Sequence, residues 1–154
     1  MIGNAISLVA ALAMPAAETA PLAVSCNGSS ISRSTMFGRL EERRMDIAKQ
    51  VYVFAETANR VDRVLLSKKT FDPVCKFSDG ERSVNFSSRL IQVSSDIASS
   101  DARTICSFRF DRETGKAESL LRLEWPDGRY DDVKWEMRCT PTAVPTFDLP
   151  KSES

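Results

Sequence analysis

Apolar and polar positions alternate most regularly between residues 105 and 138. Pro126-Asp127-Gly128 suits a three-residue hairpin loop, because proline presets φ and glycine accepts the left-handed bulge position. That turn sets Trp125 opposite Arg129, Leu123 opposite Asp131 and Leu121 opposite Val133. One face then collects Leu121, Leu123, Trp125, Val133, Trp135 and Met137. The other pairs Arg122 with Asp132 and Glu124 with Tyr130. A two-residue Asp127-Gly128 turn mixes apolar and polar side chains on both faces, since a slip of one residue inverts every side chain. The preceding turn, Arg112 to Gly115, independently sets Phe110 against Ala117, Phe108 against Ser119, Cys106 against Leu121 and Arg109 against Glu118. Both turns define one three-stranded meander with an apolar and a charged face.

Elsewhere the pattern is weaker. Leu22 to Cys26 reads as a short strand followed by a turn at Asn27-Gly28-Ser29-Ser30. A short helix or irregular segment is expected up to about residue 45, then a strand through Ala55, rich in strand formers at Val51-Tyr52-Val53-Phe54. Val61 to Leu66 is a strand, Lys68 to Arg82 a loop, and Ser83 to Phe86 and Leu90 to Val93 are short strands before a Ser/Asp-rich loop. The expected fold is mainly β: an antiparallel sandwich or small barrel of about seven to eight short strands, with little helix.

The two ends differ from the middle. Ile2 to Met14 is apolar and uncharged, and small residues follow through Ala20, the layout of a cleavable export signal. Residues 1–20 are therefore expected to be a signal peptide, with the boundary between 16 and 25. The apolar run falls short of the roughly 20 residues that span a bilayer, so no transmembrane span is expected. A single β domain is expected over 22–141, and an extended or disordered tail over 142–154.

Composition narrows the chemistry. Acidic and basic residues balance, with Lys+Arg 21 and Asp+Glu 21, and they are interspersed as in Arg39-Leu40-Glu41-Glu42-Arg43-Arg44. No basic field gathers phosphates, so nucleic acid is not an expected partner. The chain has no histidine, which removes Ser-His-Asp and Cys-His catalysis and His-ligated metal sites. Neither a cofactor nor a metal is expected, and the reading is non-enzymatic. Asp131 and Asp132 are neighbours on a strand and point to opposite faces, so they do not form a carboxylate pair. A carboxylate-dependent hydrolase is the remaining enzymatic option, and no paired carboxylates point to it.

An exported domain meets an oxidising compartment, and an even cysteine count there reads as disulfides. Cys26, Cys75, Cys106 and Cys139 allow three connectivities, which sequence leaves open. The expected pairing is Cys26–Cys139, tying the first strand to the last, with Cys75–Cys106. An alternative use of Cys26 is as a lipid-anchored N-terminus, because Ala23-Val24-Ser25-Cys26 loosely matches a lipobox. The candidate binding residues are Phe108, Phe110, Trp125 and Trp135, which line the apolar face, and Asp131 at its mouth.

The run Val93-Ser94-Ser95-Asp96-Ile97, the turn Asp111 to Gly115, the closing Arg138-Cys139-Thr140-Pro141 and the opening Cys26-Asn27-Gly28 resemble features of small exported bacterial β-rich proteins of unknown function. Lysozyme-inhibitor-like domains share the size, compartment and disulfide usage. The resemblance implies exported β architecture and brings no catalytic residues. The resulting expectation is a periplasmic or secreted binding protein of the bacterial envelope. Its partner would be a small apolar ligand or an envelope protein. The alternative is a structural or accessory envelope protein with a filled core.

Overall fold

The computed structural model describes residues 20–77 and 81–147. Nine strands and no helix occur among them: β1 (Leu22–Ser34), β2 (Glu41–Ala55), β3 (Arg60–Leu65), β4 (Thr70–Pro73), β5 (Arg82–Phe86), β6 (Leu90–Ala98), β7 (Arg103–Asp111), β8 (Lys116–Glu124) and β9 (Tyr130–Thr142). They form one antiparallel sheet, in the order β4-β3-β2-β1-β9-β8-β7-β6-β5, curved into a half-barrel. Every neighbouring pair is consecutive in the chain except β1 and β9, which meet at the centre.

The expected meander is present residue for residue. Cys106 faces Leu121, Phe108 faces Ser119 and Phe110 faces Ala117. Leu121 faces Val133, Arg122 faces Asp132 and Leu123 faces Asp131. Gly115 and Gly128 close the two turns at φ 70° and 84°, a conformation that glycine adopts without a steric penalty.

Three expectations are corrected. The sheet is single rather than a sandwich, and it is a half-barrel rather than a closed barrel. Pairing β1 with β9 leaves β4 and β5 as separate edges, and residues 74–81 connect them. The strand count is nine because β4 forms inside the expected 68–82 loop, where its four residues pair only with β3. The turn at 27–30 and the irregular segment up to 45 are instead strand. Asn27 to Ser34 continue β1 between β2 and β9, and Glu41 to Ile47 begin β2. The register of β1 on β2 shifts between Cys26 and Gly28, with the extra residue on β2 near Ala48-Lys49, so a bulge takes the place of the expected turn.

The concave face holds the main core. Val24, Phe54, Val61, Ile91, Val93, Phe108, Phe110 and Ala117 are buried together there. The rings of Phe54 and Phe110 stack at 5.0 Å between centroids, and those of Tyr52 and Phe108 lie 4.8 Å apart. Aromatic pairs at such spacing add to the burial of apolar area. On the convex face Ala23, Val51, Val53 and Val64 form a second cluster, covered by Phe147. Phe147 also lies 5.3 Å from Phe71, so the start of the predicted tail packs on the sheet. The predicted leader, apart from Ala20, lies outside the described residues, as does the rest of the tail.

Both disulfides form with the expected pairing. Cys26 and Cys139 sit directly opposite each other on β1 and β9, with Cα atoms 4.0 Å apart. Cys75 reaches across from the connecting segment to Cys106 on β7, at a Cα distance of 5.5 Å. Two disulfides fit an oxidising compartment. No helix among the described residues is long and apolar enough to cross a membrane.

Candidate functional site

A cavity of about 220 Å³ opens in the concave face where the 74–77 segment crosses it. The strand period of two builds its floor. Gln50 and Tyr52 on β2, Arg63 on β3, Ser119 and Leu121 on β8 and Trp135 on β9 all face the same side. Its roof is Pro73 to Phe77, and the Cys75–Cys106 disulfide ties roof to floor. The roof is also fixed by backbone. Val74 donates its N–H to the Val61 carbonyl at 2.9 Å, and the Arg82 guanidinium donates to the Val74 carbonyl at 2.8 Å. Cys75 itself takes a φ of 56°, which costs a non-glycine residue on the order of 1 kcal/mol, so the disulfide and these hydrogen bonds hold the segment down against local preference.

The cavity is chemically two-sided. Leu121, Trp135, Val74 and Phe77 supply apolar wall. Gln50, Tyr52, Arg63 and Asp72 supply polar groups, with Arg63 Nη2 and Asp72 Oδ2 paired at 3.4 Å. Both partners of that pair are about half exposed, so it contributes little to stability. Burial pushes the Tyr52 phenol above its ordinary value, and the Arg63 charge opposes the shift. Tyr52 therefore stays a neutral hydroxyl at neutral pH and serves as donor or acceptor toward the cavity. Among the described residues no group of three His, Cys, Asp or Glu side chains converges.

The sequence-predicted residues separate. Trp135 lines the cavity. Phe108 and Phe110 are buried in the aromatic stack beside it and fill the barrel end rather than leave room. Trp125 ends β8's hairpin, where its N–H donates to the Arg129 carbonyl, and is outside the cavity lining. Asp131 accepts a hydrogen bond from Ser34 Oγ across the β1–β9 seam, also outside the lining. Its neighbour Asp132 is buried and paired with Arg122 at 3.3 Å, as the register requires. Arg122 in turn lies 4.0 Å above the Tyr130 ring, a cation–π contact.

The sequence reading missed Gln50, Tyr52, Arg63 and Phe77. Tyr52 is buried. The available signal was Cys75: a disulfide cysteine inside a polar loop pins that loop onto the sheet. The sulfur of Cys26 is bonded to Cys139, so this disulfide and a lipid anchor at Cys26 exclude each other. No known family, curated protein or solved structure matches the chain.

Proposed function

We propose that this is an exported, non-catalytic binding protein of the bacterial envelope, periplasmic or secreted, that takes a small, largely apolar ligand in the concave face. The cavity beside Trp135 carries this reading: apolar side chains and a few convergent polar groups share one concave site, the usual composition of a ligand pocket. At about 220 Å³ it is smaller than the roughly 300–1,000 Å³ of drug-sized sites. It suits a single ring or a short acyl chain bearing one or two polar atoms. Two disulfides and the apolar leader support export.

The test uses the Trp125→Phe protein, in which Trp135 is the only reporter. Cyclohexanol, benzoate and short fatty acids are titrated against its fluorescence. A saturable change that disappears when Ser119→Phe fills the cavity is expected. A flat response to all three classes, in a protein with native circular dichroism, refutes the ligand reading. The alternative is a structural or accessory envelope protein with a filled core. The tight packing of Phe54, Phe108 and Phe110 favours it at one end of the half-barrel, and a flat response would leave it standing.

A further inference from the structure

β1 covers one side of β2 from Glu41 to Phe54, while β3 covers the other side only from Val51 to Ala55. The outward N–H and C=O groups of residues 41–50 are left without a strand partner among the described residues. Glu41 through Asp46 are all exposed. An edge of this kind is a ready template for another strand.

A copy of the same edge can pair with it in a closed dimer only about a twofold axis normal to the sheet. Directly opposed side chains then share a face, so one residue must meet its own twin. Most choices of that residue are unfavourable. Centring on Glu41, Glu42, Arg43, Arg44 or Asp46 places identical charges face to face, which destabilises a cross-strand pair. Centring on Ile47 or beyond drives the partner into the stretch that β3 already covers. Centring on Met45 avoids both. Met45, 54% exposed, meets Met45. Arg44 meets Asp46 twice by symmetry, Arg43 meets Ile47, and Glu42 meets Ala48. Glu42 keeps its own partner, Arg33, at 3.0 Å. At either end Glu41 comes beside Lys49 at the bulge. Within one chain neither Arg44 nor Asp46 has a salt-bridge partner among the described residues, so both are available to a neighbour.

We propose that the Glu41–Lys49 edge of β2 is a homodimer interface, two copies pairing antiparallel about Met45 to continue the sheet. The occupant is a second copy because the charge sequence is self-complementary in this one register. A strand of unrelated sequence would need the same complementary order of charges to pair as well.

The test is sedimentation equilibrium on the mature, oxidised protein from low micromolar to submillimolar concentration. A monomer–dimer equilibrium is expected. Arg44→Asp and Asp46→Arg should each raise the dimer dissociation constant by about tenfold or more, since each replaces two attractive pairs by two repulsive ones. The double variant should restore the homodimer, and an equimolar mixture of the two single variants should form a heterodimer. A monomer at every concentration overturns the proposal, as does a dimer indifferent to the single substitutions or unrestored in the double variant. Cross-linking gives an answer independent of charge. Met45→Cys should form a disulfide-linked dimer under mild oxidation, because opposed Cα atoms lie about 4.5–5.5 Å apart. Ala48→Cys, opposed by Glu42, should not. Equal cross-linking of both, or of neither, also overturns it.

Discussion

Replacing both Cys26 and Cys139 by alanine tests how much of this fold depends on the central seam. The bond joins positions separated by 113 residues, against 31 for Cys75 and Cys106. If a cross-link acts by restricting the unfolded chain, the first is worth about 4.8 kcal/mol and the second about 3.7 kcal/mol at 25 °C. Loss of buried sulfur adds a similar small amount to each, because Cys26, Cys75 and Cys106 are all buried. A domain of this size has a net stability of about 5–15 kcal/mol, so loss of the seam disulfide removes a third or more of it. The assay is urea unfolding under non-reducing conditions, followed by tryptophan fluorescence, on the wild type and the two paired-alanine proteins. The midpoint should fall further for Cys26→Ala/Cys139→Ala than for Cys75→Ala/Cys106→Ala, by about 1 kcal/mol after multiplication by the slope. If the order is reversed, loop length does not govern these bonds. The strained roof segment would then be the part of the fold that most needs its tether.

Other expectations follow from close contacts and burial. A Cβ at Gly28 would lie 1.9 Å from the Glu136 carbonyl oxygen and 2.8 Å from the Met137 Cα. Both are backbone atoms of β9, so Gly28→Ala should force β1 and β9 apart at a cost of about 3 kcal/mol or more. A wild-type melting temperature would refute this. Phe108→Ala, at a site 2% exposed, should lose about 3–5 kcal/mol in urea unfolding, and a loss under 1 kcal/mol would mean that the aromatic stack collapses to fill the gap. Burial raises the Tyr52 phenol above its ordinary 10.0, so the folded state holds this proton more tightly than the unfolded chain does. The associated stability is complete below the unfolded value and is lost as pH rises through the folded one. Urea midpoints measured into the alkaline range should therefore fall less steeply for Tyr52→Phe than for the wild type, and parallel curves would contradict the assignment.

The parts of the fold that were legible in sequence are those whose register is set locally. Gly115 and Gly128 fix two turns, and Phe108, Phe110, Leu121 and Trp135 alternate against a polar face that meets water. The strand segments Asn27 to Ser34 and Glu41 to Asp46 carry no such signal. Ser30 and Ser32 take the concave positions of β1, and Glu41 to Asp46 are exposed on both faces, so neither pattern has a period of two. Four-residue β4 was hidden by Asp72-Pro73, which reads locally as a turn. The cavity was less visible still. Trp135 was identifiable from its own strand, but Tyr52 and Arg63 reach it only through the β1–β9 pairing. Phe77 reaches it only through the Cys75 bond, and neither long-range link is encoded in a local pattern.

The pairing of β1 with β9 has a kinetic consequence. β1 to β4 form one run of local hairpins and β5 to β9 another, and each can assemble from neighbours in sequence. The strands of the two runs hydrogen-bond to each other only along the β1–β9 seam, whose partners come from opposite ends of the domain and so close the longest loop in it. Non-local pairings of this kind raise the contact order and slow folding. During synthesis β1 has only β2 beside it until the last strand emerges. The half-built sheet then exposes a second free edge, and one face of Cys26 waits for a partner more than a hundred residues away. Both native disulfides tie the C-terminal run to residues that precede it, so oxidation locks the two halves together rather than stiffening either one. A premature Cys26–Cys75 bond would instead close the first run on itself and bar the seam.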